Sequence, residues 1–538
     1  MLRPWRIFAT VSVGVFASLL DLFIVNITFP DLQRDFAGTS LSTLSWVLNG
    51  YAIVFAALLV PAGRIADLIG RKRGFVVGLL LFVLASAACA AAPSAYALIA
   101  GRVVQAVGAA ILTPSSLGVV LPEFPPEQRR SVIAGWAAVG ALGAAAGPPL
   151  GGLLVQLRWR WVFVVNLPLG LVSVAFAIRQ LRETKDPSGG RLPDLAGSVL
   201  LMAGVAAATL GLTKAADWGW AGAATLSAFV VAAALVTLAV LRSAGHPAPA
   251  LDLSMLRLPR FALAVTSAFC FFAGFAGLLL AGVLFLTDVW GQSILLTGFE
   301  LTPGPIMALV FAIVASRLGG RIGLGVIGAA GGVLVAASLT WNATRLGLSP
   351  HYLTRLLPSQ IVGGAGIGLA MPSFTAIAVG SVHPARISTA IGISSMFRQL
   401  GGALGIAAFV AILGTPARDD ALIAFRHGWV FMAAACIAGA LGMLAAHLVP
   451  ASLPPRAGEP RERETEQVLD GSESSAYTLA DRGSGGRSDV RLHCGSSSRS
   501  GERPVDNAGI RADPAWSPKT PRPRGARSGG VGARVSCL

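Results

Sequence analysis

The sequence predicts an all-α polytopic membrane protein with about fourteen helical spans. Three observations carry that prediction. The chain of 538 residues is 54% hydrophobic and 13% charged, with a mean hydropathy of +0.69; a soluble domain carries about 25% charged residues. Its apolar segments recur at lengths near the ~20 residues that a helix needs to cross a bilayer core. Its basic residues gather in alternate connections between those segments, as the positive-inside rule requires.

The first span, Ile7 to Phe29, is too long and too polar at its far end for a signal peptide, and no small-residue cleavage site follows it. It is expected to stay in the mature chain. Arg3 and Arg6 precede it and put the N-terminus in the cytoplasm. Hydropathy then marks spans at 46–65, 75–91, 95–120, 133–154, 162–178, 195–212 and 221–241. Six more follow at 261–287, 294–315, 322–341, 358–379, 389–413 and 429–449. Spans 7 and 8 are joined by Asp217-Trp-Gly-Trp220, whose tryptophans suit an interfacial belt.

Charge tests the count. Connections after even-numbered spans hold Arg64, Arg71, Lys72 and Arg73; Arg129 and Arg130; Arg179, Arg182, Lys185 and Arg191; Arg242, Arg257 and Arg260; Arg317 and Arg321; and Arg386. The opposite connections hold fewer, among them Arg34, Arg158, Arg160, Arg345, Arg355, Arg418 and Arg426. Removing one span would invert every later loop and spoil the pattern, so both termini are expected in the cytoplasm.

The net charge of +16 is therefore no sign of nucleic-acid binding. Residues 451–538 hold 14 basic and 11 acidic residues, so +13 of the charge lies before them, mostly in short loops. That terminal segment is rich in Arg, Ser, Gly and Pro without apolar periodicity, and reads as a disordered cytoplasmic tail. Cys89, Cys270 and Cys436 stand singly in apolar spans, and Cys494 and Cys537 in the tail, a spacing that implies neither metal nor disulfides.

Asp21, in Leu19-Leu-Asp-Leu-Phe-Ile-Val-Asn-Ile-Thr-Phe-Pro30, is the one acid well inside a span. A carboxylate at that depth costs several kcal/mol. It persists where it faces a polar cavity, pairs with a cation or binds a proton; a partly hydrated carboxylate that only holds helices together is the structural alternative. Arg102 in span 4 is costly for the same reason, its alternative being an arginine that snorkels to the outer interface. Asp288 and Glu300 flank a short external turn at Gly291, and the remaining acids before the tail fall in loops or at span ends.

Several motifs then fall on these spans in order. Gly63-Arg-Ile-Ala-Asp-Leu-Ile-Gly-Arg-Lys-Arg73 resembles the signature loop between helices two and three of the major facilitator superfamily. There Gly63 and Gly70 allow a tight turn and close helix approach, Asp67 caps or pairs at the cytoplasmic gate, and Arg64, Arg71 and Lys72 pair with acids or lipid phosphates. Leu68 departs from the basic residue usual in that loop. Arg317-Leu-Gly-Gly-Arg-Ile-Gly323 is a fainter echo after span 10. Arg102 to Gly108 resembles the family's helix-four motif, whose Arg is linked to proton transfer, with Ala106 where Gly is usual. Gly143, Gly147, Pro148, Gly151 and Gly152 resemble the antiporter motif, in which small residues bring helices together and proline kinks the span.

Trp159-Arg-Trp-Val-Phe-Val-Val-Asn-Leu-Pro-Leu-Gly170, the Asp21 segment, and Ser394 to Gly405 with Arg398, Gln399, Gly401, Gly402 and Gly405 are similar to the fourteen-helix drug/proton antiporters of the EmrB/QacA type. The resemblance spans Met1 to about Pro450. It implies the major facilitator fold: a six-helix bundle over 1–181, two extra spans with cytoplasmic linkers over 182–260, and a second six-helix bundle over 261–450, ahead of the tail at 451–538. It implies a monomeric, multi-pass cell-membrane protein that exports hydrophobic or cationic drugs, dyes or antibiotics in exchange for protons by alternating access. Asp21 and Arg102 are its expected proton-coupling residues, and Arg398 and Gln399 the candidates in the second-half cavity. No Walker loop, HExxH or Cys/His metal spacing occurs, so no cofactor, metal or enzymatic activity is implied. A transporter of a defined metabolite (an amino acid, sugar, siderophore or natural product) fits the same motifs. A scaffold or sensor without transport does not explain ionised residues inside spans.

Overall fold

The computed structural model describes residues 2–184, 192–246, 249, 251–383, 386–414 and 420–450. The expected disordered tail, and the stretch of linker with Lys185, Pro187, Gly189, Gly190 and Arg191, lie outside those residues. The described residues are helical with no strand, and fourteen helices are long and apolar enough to cross a membrane. Spans 1 to 7 are Arg3–Asp35, Leu41–Ile69, Arg71–Ala90, Ala95–Glu123, Glu127–Val155, Trp161–Gln180 and Leu195–Ala215. Spans 8 to 14 are Ala223–Gly245, Pro259–Val289, Ile294–Ile322, Leu324–Arg345, Tyr352–Gly380, Thr389–Leu413 and Ala421–Leu448. Each overlaps its hydropathy segment and mostly extends beyond it, because polar and charged residues at the interfaces continue the helix outside the apolar window.

Local chemistry sets several ends. The side chains of Ser40, Ser94, Asp194 and Ser293 accept the N–H of Thr43, Ala97, Gly197 and Leu296 respectively, each satisfying a donor that the first helical turn leaves free. Burial raises the pKa of Asp194, but the Gly197 N–H and the Arg242 guanidinium outweigh it and hold the carboxyl below its ordinary range. The Arg242 bond, 2.7 Å, ties the start of span 7 to the end of span 8. At the far end of span 1, Asp35 accepts from Trp159 Nε1 at 2.6 Å and Arg160 Nη1 at 3.1 Å, which fastens span 1 to the turn before span 6.

Packing repeats along the chain. Span 1 contacts spans 4, 5 and 6, and span 9 contacts spans 12, 13 and 14. Span 3 lies on spans 4 and 6, as span 11 lies on spans 12 and 14; span 2 lies on span 4, as span 10 lies on span 12. Each span of the first six thus has a counterpart eight places later. Gly70, between spans 2 and 3, has φ 121° and ψ 131°; Gly323, between spans 10 and 11, has φ 92° and ψ 132°. The faint sequence echo is the same left-handed turn, which only glycine adopts without strain. Contacts between the two sets run mainly through spans 2 and 13 and through spans 5 and 10, with spans 1 and 9 also touching. Spans 7 and 8 pack on each other, and span 7 also contacts spans 2 and 13.

The glycines of span 5 make two of these seams. A Cβ on Gly143 would lie 3.1 Å from the Leu20 nitrogen, one on Gly147 2.9 Å from Phe23 Cβ, and one on Gly151 2.3 Å from Ile27 Cγ2, all on span 1. Gly152 instead faces span 10, where its Cβ would stand 3.2 Å from the Ile294 carbonyl oxygen. Pro148 and Pro149 sit inside a helix that runs from Pro126 to Val155. The proline expected to kink the span thus lies within a continuous helix.

Candidate functional site

Asp21, on span 1, is fully buried. Its Oδ2 faces the Nη1 of Arg102, and its Oδ1 accepts from Gln105 Nε2 at 3.0 Å and from Asn166 Nδ2 at 2.8 Å. Arg102 is equally buried: Nη1 also donates to Gln105 Oε1 at 2.6 Å, Nε donates to the Val47 carbonyl at 3.1 Å, and the guanidinium sits 4.2 Å from the Tyr51 ring centre. Ser86 Oγ accepts the remaining N–H groups of Gln105 and Asn166, at 2.6 and 3.4 Å. Spans 1, 2, 3, 4 and 6 therefore converge on one carboxylate.

Three donors face the Asp21 carboxyl, from Arg102, Gln105 and Asn166. Two atoms remain free: Arg102 Nη2 and Asn166 Oδ1 are buried without a partner. Breaking such a buried ion pair by removing one partner costs about 3–5 kcal/mol. Arg102 does not snorkel to the surface; the span-1 carboxylate holds it inside.

In the loop between spans 2 and 3, Asp67 pairs with Arg71 at 2.7 Å, one turn on, and Arg71 Nη1 donates to the Gly118 carbonyl of span 4 at 3.2 Å; among the described residues Asp67 does not cap span 3. The cap is Glu183, whose oxygens accept the N–H of Lys72 at 3.0 Å and of Arg73 at 3.3 Å. Lys72 Nζ donates to the Ile178 carbonyl at 2.8 Å. Gly70 makes the turn, whereas Gly63 is helical and lets span 2 approach Pro114 of span 4. Arg64 is exposed.

Arg398 and Gln399 lie on span 13, apart from the Asp21 cluster. Arg398 Nη2 donates to Ser395 Oγ at 2.9 Å and Nη1 to Thr375 Oγ1 at 3.4 Å, with Phe272 5.5 Å from the guanidinium carbon. Gln399 is half-buried beside it. Residues that chemistry-bearing motifs alone did not single out are Ser86, Asn166, Tyr51 and Glu183. Asn166, a polar residue at the start of an apolar run, carried a legible signal; Ser86 carried none. A cavity of about 600 Å³ lined by Arg3, Arg6, Arg179 and Arg182 opens at the other end of span 1, away from Asp21. Among the described residues no His, Cys, Asp and Glu group could hold a metal ion.

Residues 11–406 match the model of the Major Facilitator Superfamily. The chain is 32% identical to the methylenomycin A resistance protein of Streptomyces coelicolor over 75% of its own length and 84% of the relative's. It is 32% identical to the multidrug resistance protein Stp of Mycobacterium tuberculosis, over 75% and 74%. It is 34% identical to the tetracenomycin C resistance and export protein of Streptomyces glaucescens, over 80% and 78%. Among solved structures, an auto-inhibited POT family peptide transporter superposes with a TM-score of 0.61 at 15% identity, covering 85% of this chain and 99% of that one. That likeness is one of fold.

Proposed function

The chain belongs to the Major Facilitator Superfamily, and on that premise we propose that it is a proton-coupled antiporter that exports hydrophobic drugs, dyes or antibiotics, cationic compounds among them, across the cell membrane. Its relatives by sequence are resistance and export proteins. The observation that carries the proton-coupled part is the buried Asp21–Arg102 pair at the convergence of five spans. Asp21 takes up a proton on one side and releases it on the other, and Arg102 with the amides of Gln105 and Asn166 steadies the ionised form. The spans before 182 and after 260 act as two bundles that rock about the seams between spans 2 and 13 and spans 5 and 10. The working unit is a monomer. The test is uptake by proteoliposomes under an imposed pH gradient across a compound panel; compounds that accumulate only with the gradient support the reading, and downhill leakage alone overturns it.

Both termini are cytoplasmic in this reading, motivated by the basic connections after even spans. Reporter fusions after Trp218 should read external and those after Gly245 internal; the reverse at either site breaks the assignment.

The gate loop adds a second expectation. Asp67→Asn removes the ion pair that holds Arg71 against span 4. The pair is partly exposed and worth under ~1 kcal/mol to stability, so expression should change little while transport slows several-fold. Equal transport rates in variant and parent would reduce the loop to a topology signal.

A further inference from the structure

We propose that Arg398 recognises an anionic group on the exported compound, a carboxylate or acidic phenol, so that lipophilic acids are preferred substrates. This deepens the export reading and rests on it. The argument is one of charge balance inside the spans. Asp21 and Arg102 neutralise each other and are fully buried. Arg398 stands ten residues into span 13, about 14 Å along a helix at 1.5 Å per residue. Among the described residues no carboxylate reaches ion-pairing distance of it. Its two recorded bonds go to neutral hydroxyls, Thr375 and Ser395. Asp288 and Glu300 also lack an ion-pairing cation among the described residues, but they flank the Gly291 turn at the ends of spans 9 and 10.

A guanidinium presents five N–H donors in a planar fork that matches a carboxylate in two parallel bonds. The hydroxyls of spans 12 and 13 orient that fork, and the Phe272 ring of span 9 offers an apolar surface alongside for the body of the ligand. A half-buried cation without a counter-ion in a span faces an interior space or a polar cavity rather than lipid. A lipophilic cation meets like charge there. The proton site and the anion site then occupy different halves of the chain.

The consequence is electrical. Export of an anion in exchange for a proton moves two charges in the direction that an inside-negative potential favours, whereas export of a monovalent cation for one proton moves none. Two xanthene dyes of similar frame and opposite charge, fluorescein and rhodamine 6G, separate the cases with the full-length protein. Fluorescein should bind the parent about tenfold or more tighter than it binds Arg398→Gln. Arg398→Lys should restore part of that affinity, because it keeps the charge and loses the fork. Rhodamine 6G affinity should be unchanged or higher in Arg398→Gln. In proteoliposomes, a potassium diffusion potential set with valinomycin should accelerate fluorescein transport. Transport of rhodamine 6G without fluorescein, or equal weakening of both dyes by Arg398→Gln, overturns the assignment and leaves the export reading standing. Failure of the parent to bind or move fluorescein also overturns the assignment, while the compound panel under a pH gradient decides the export reading.

Discussion

Asp21→Asn is expected to insert into the membrane and to lose pH-gradient-driven accumulation. Asparagine keeps the size of the side chain and can still accept from Gln105 and Asn166 through one oxygen. It cannot titrate, and its amide turns a donor toward Arg102, which already donates at that face. The variant therefore carries an uncompensated buried guanidinium, a loss of about 3–5 kcal/mol, and should melt at a lower temperature than the parent. Asp21→Asn combined with Arg102→Gln removes both charges and should recover much of that stability without restoring coupling. Stability and coupling thus part company in the double variant, which separates a proton carrier from a strut. The measurement is substrate accumulation in proteoliposomes after a pH jump, alongside thermal melting of each variant. Near-normal proton-driven accumulation in Asp21→Asn would sink the assignment and pass it to Glu300 or Asp288.

The two charges of that site were legible because an ionised residue inside an apolar span is costly and therefore stands out. The spans were legible for the same physical reason, since a helix that crosses the hydrocarbon core needs about 20 predominantly apolar residues. The rest of the shell was hidden. Ser86 is one small hydroxyl on span 3, and only the crossing of spans 3, 4 and 6 brings it to Gln105 and Asn166. Glu183 caps span 3 from a position 111 residues after Lys72, and its sequence neighbours mark it as an ordinary linker acid. The glycine-and-charge motif marked the charged residues of the loop but not the direction of the Asp67 bond, which joins Arg71 across the Gly70 turn. Glycine stripes were visible as composition, while the helix that each glycine faces depended on tertiary packing: Gly151 meets span 1 and Gly152 meets span 10.

That dependence makes span 13 the place for the other large effect. Gly405→Ala is expected to be strongly destabilising, and Gly402→Ala, three residues earlier, close to neutral. A Cβ on Gly405 would stand 2.0 Å from the Ala273 carbonyl oxygen and 2.5 Å from its Cα, so the obstacle is backbone of span 9 rather than a side chain free to rotate. Gly401 faces the same helix one turn away, its Cβ 2.2 Å from the Phe269 carbonyl oxygen. To admit a methyl, spans 9 and 13 must separate by roughly an ångström or more along a seam where close approach supplies the packing that holds helices together in lipid. Overpacking of this kind costs about 1–3 kcal/mol, occasionally more. A Cβ on Gly402 would meet only Ala276 Cβ at 3.4 Å, ordinary van der Waals contact. Both substitutions add the same methyl to the same helix and gain the same helix propensity of about 1 kcal/mol. Thermal melting of the purified variants should therefore place Gly405→Ala well below the parent and Gly402→Ala at or slightly above it. Equal melting temperatures would mean that spans 9 and 13 do not meet on the glycine face, and that the second-half packing described here is wrong at its closest contact.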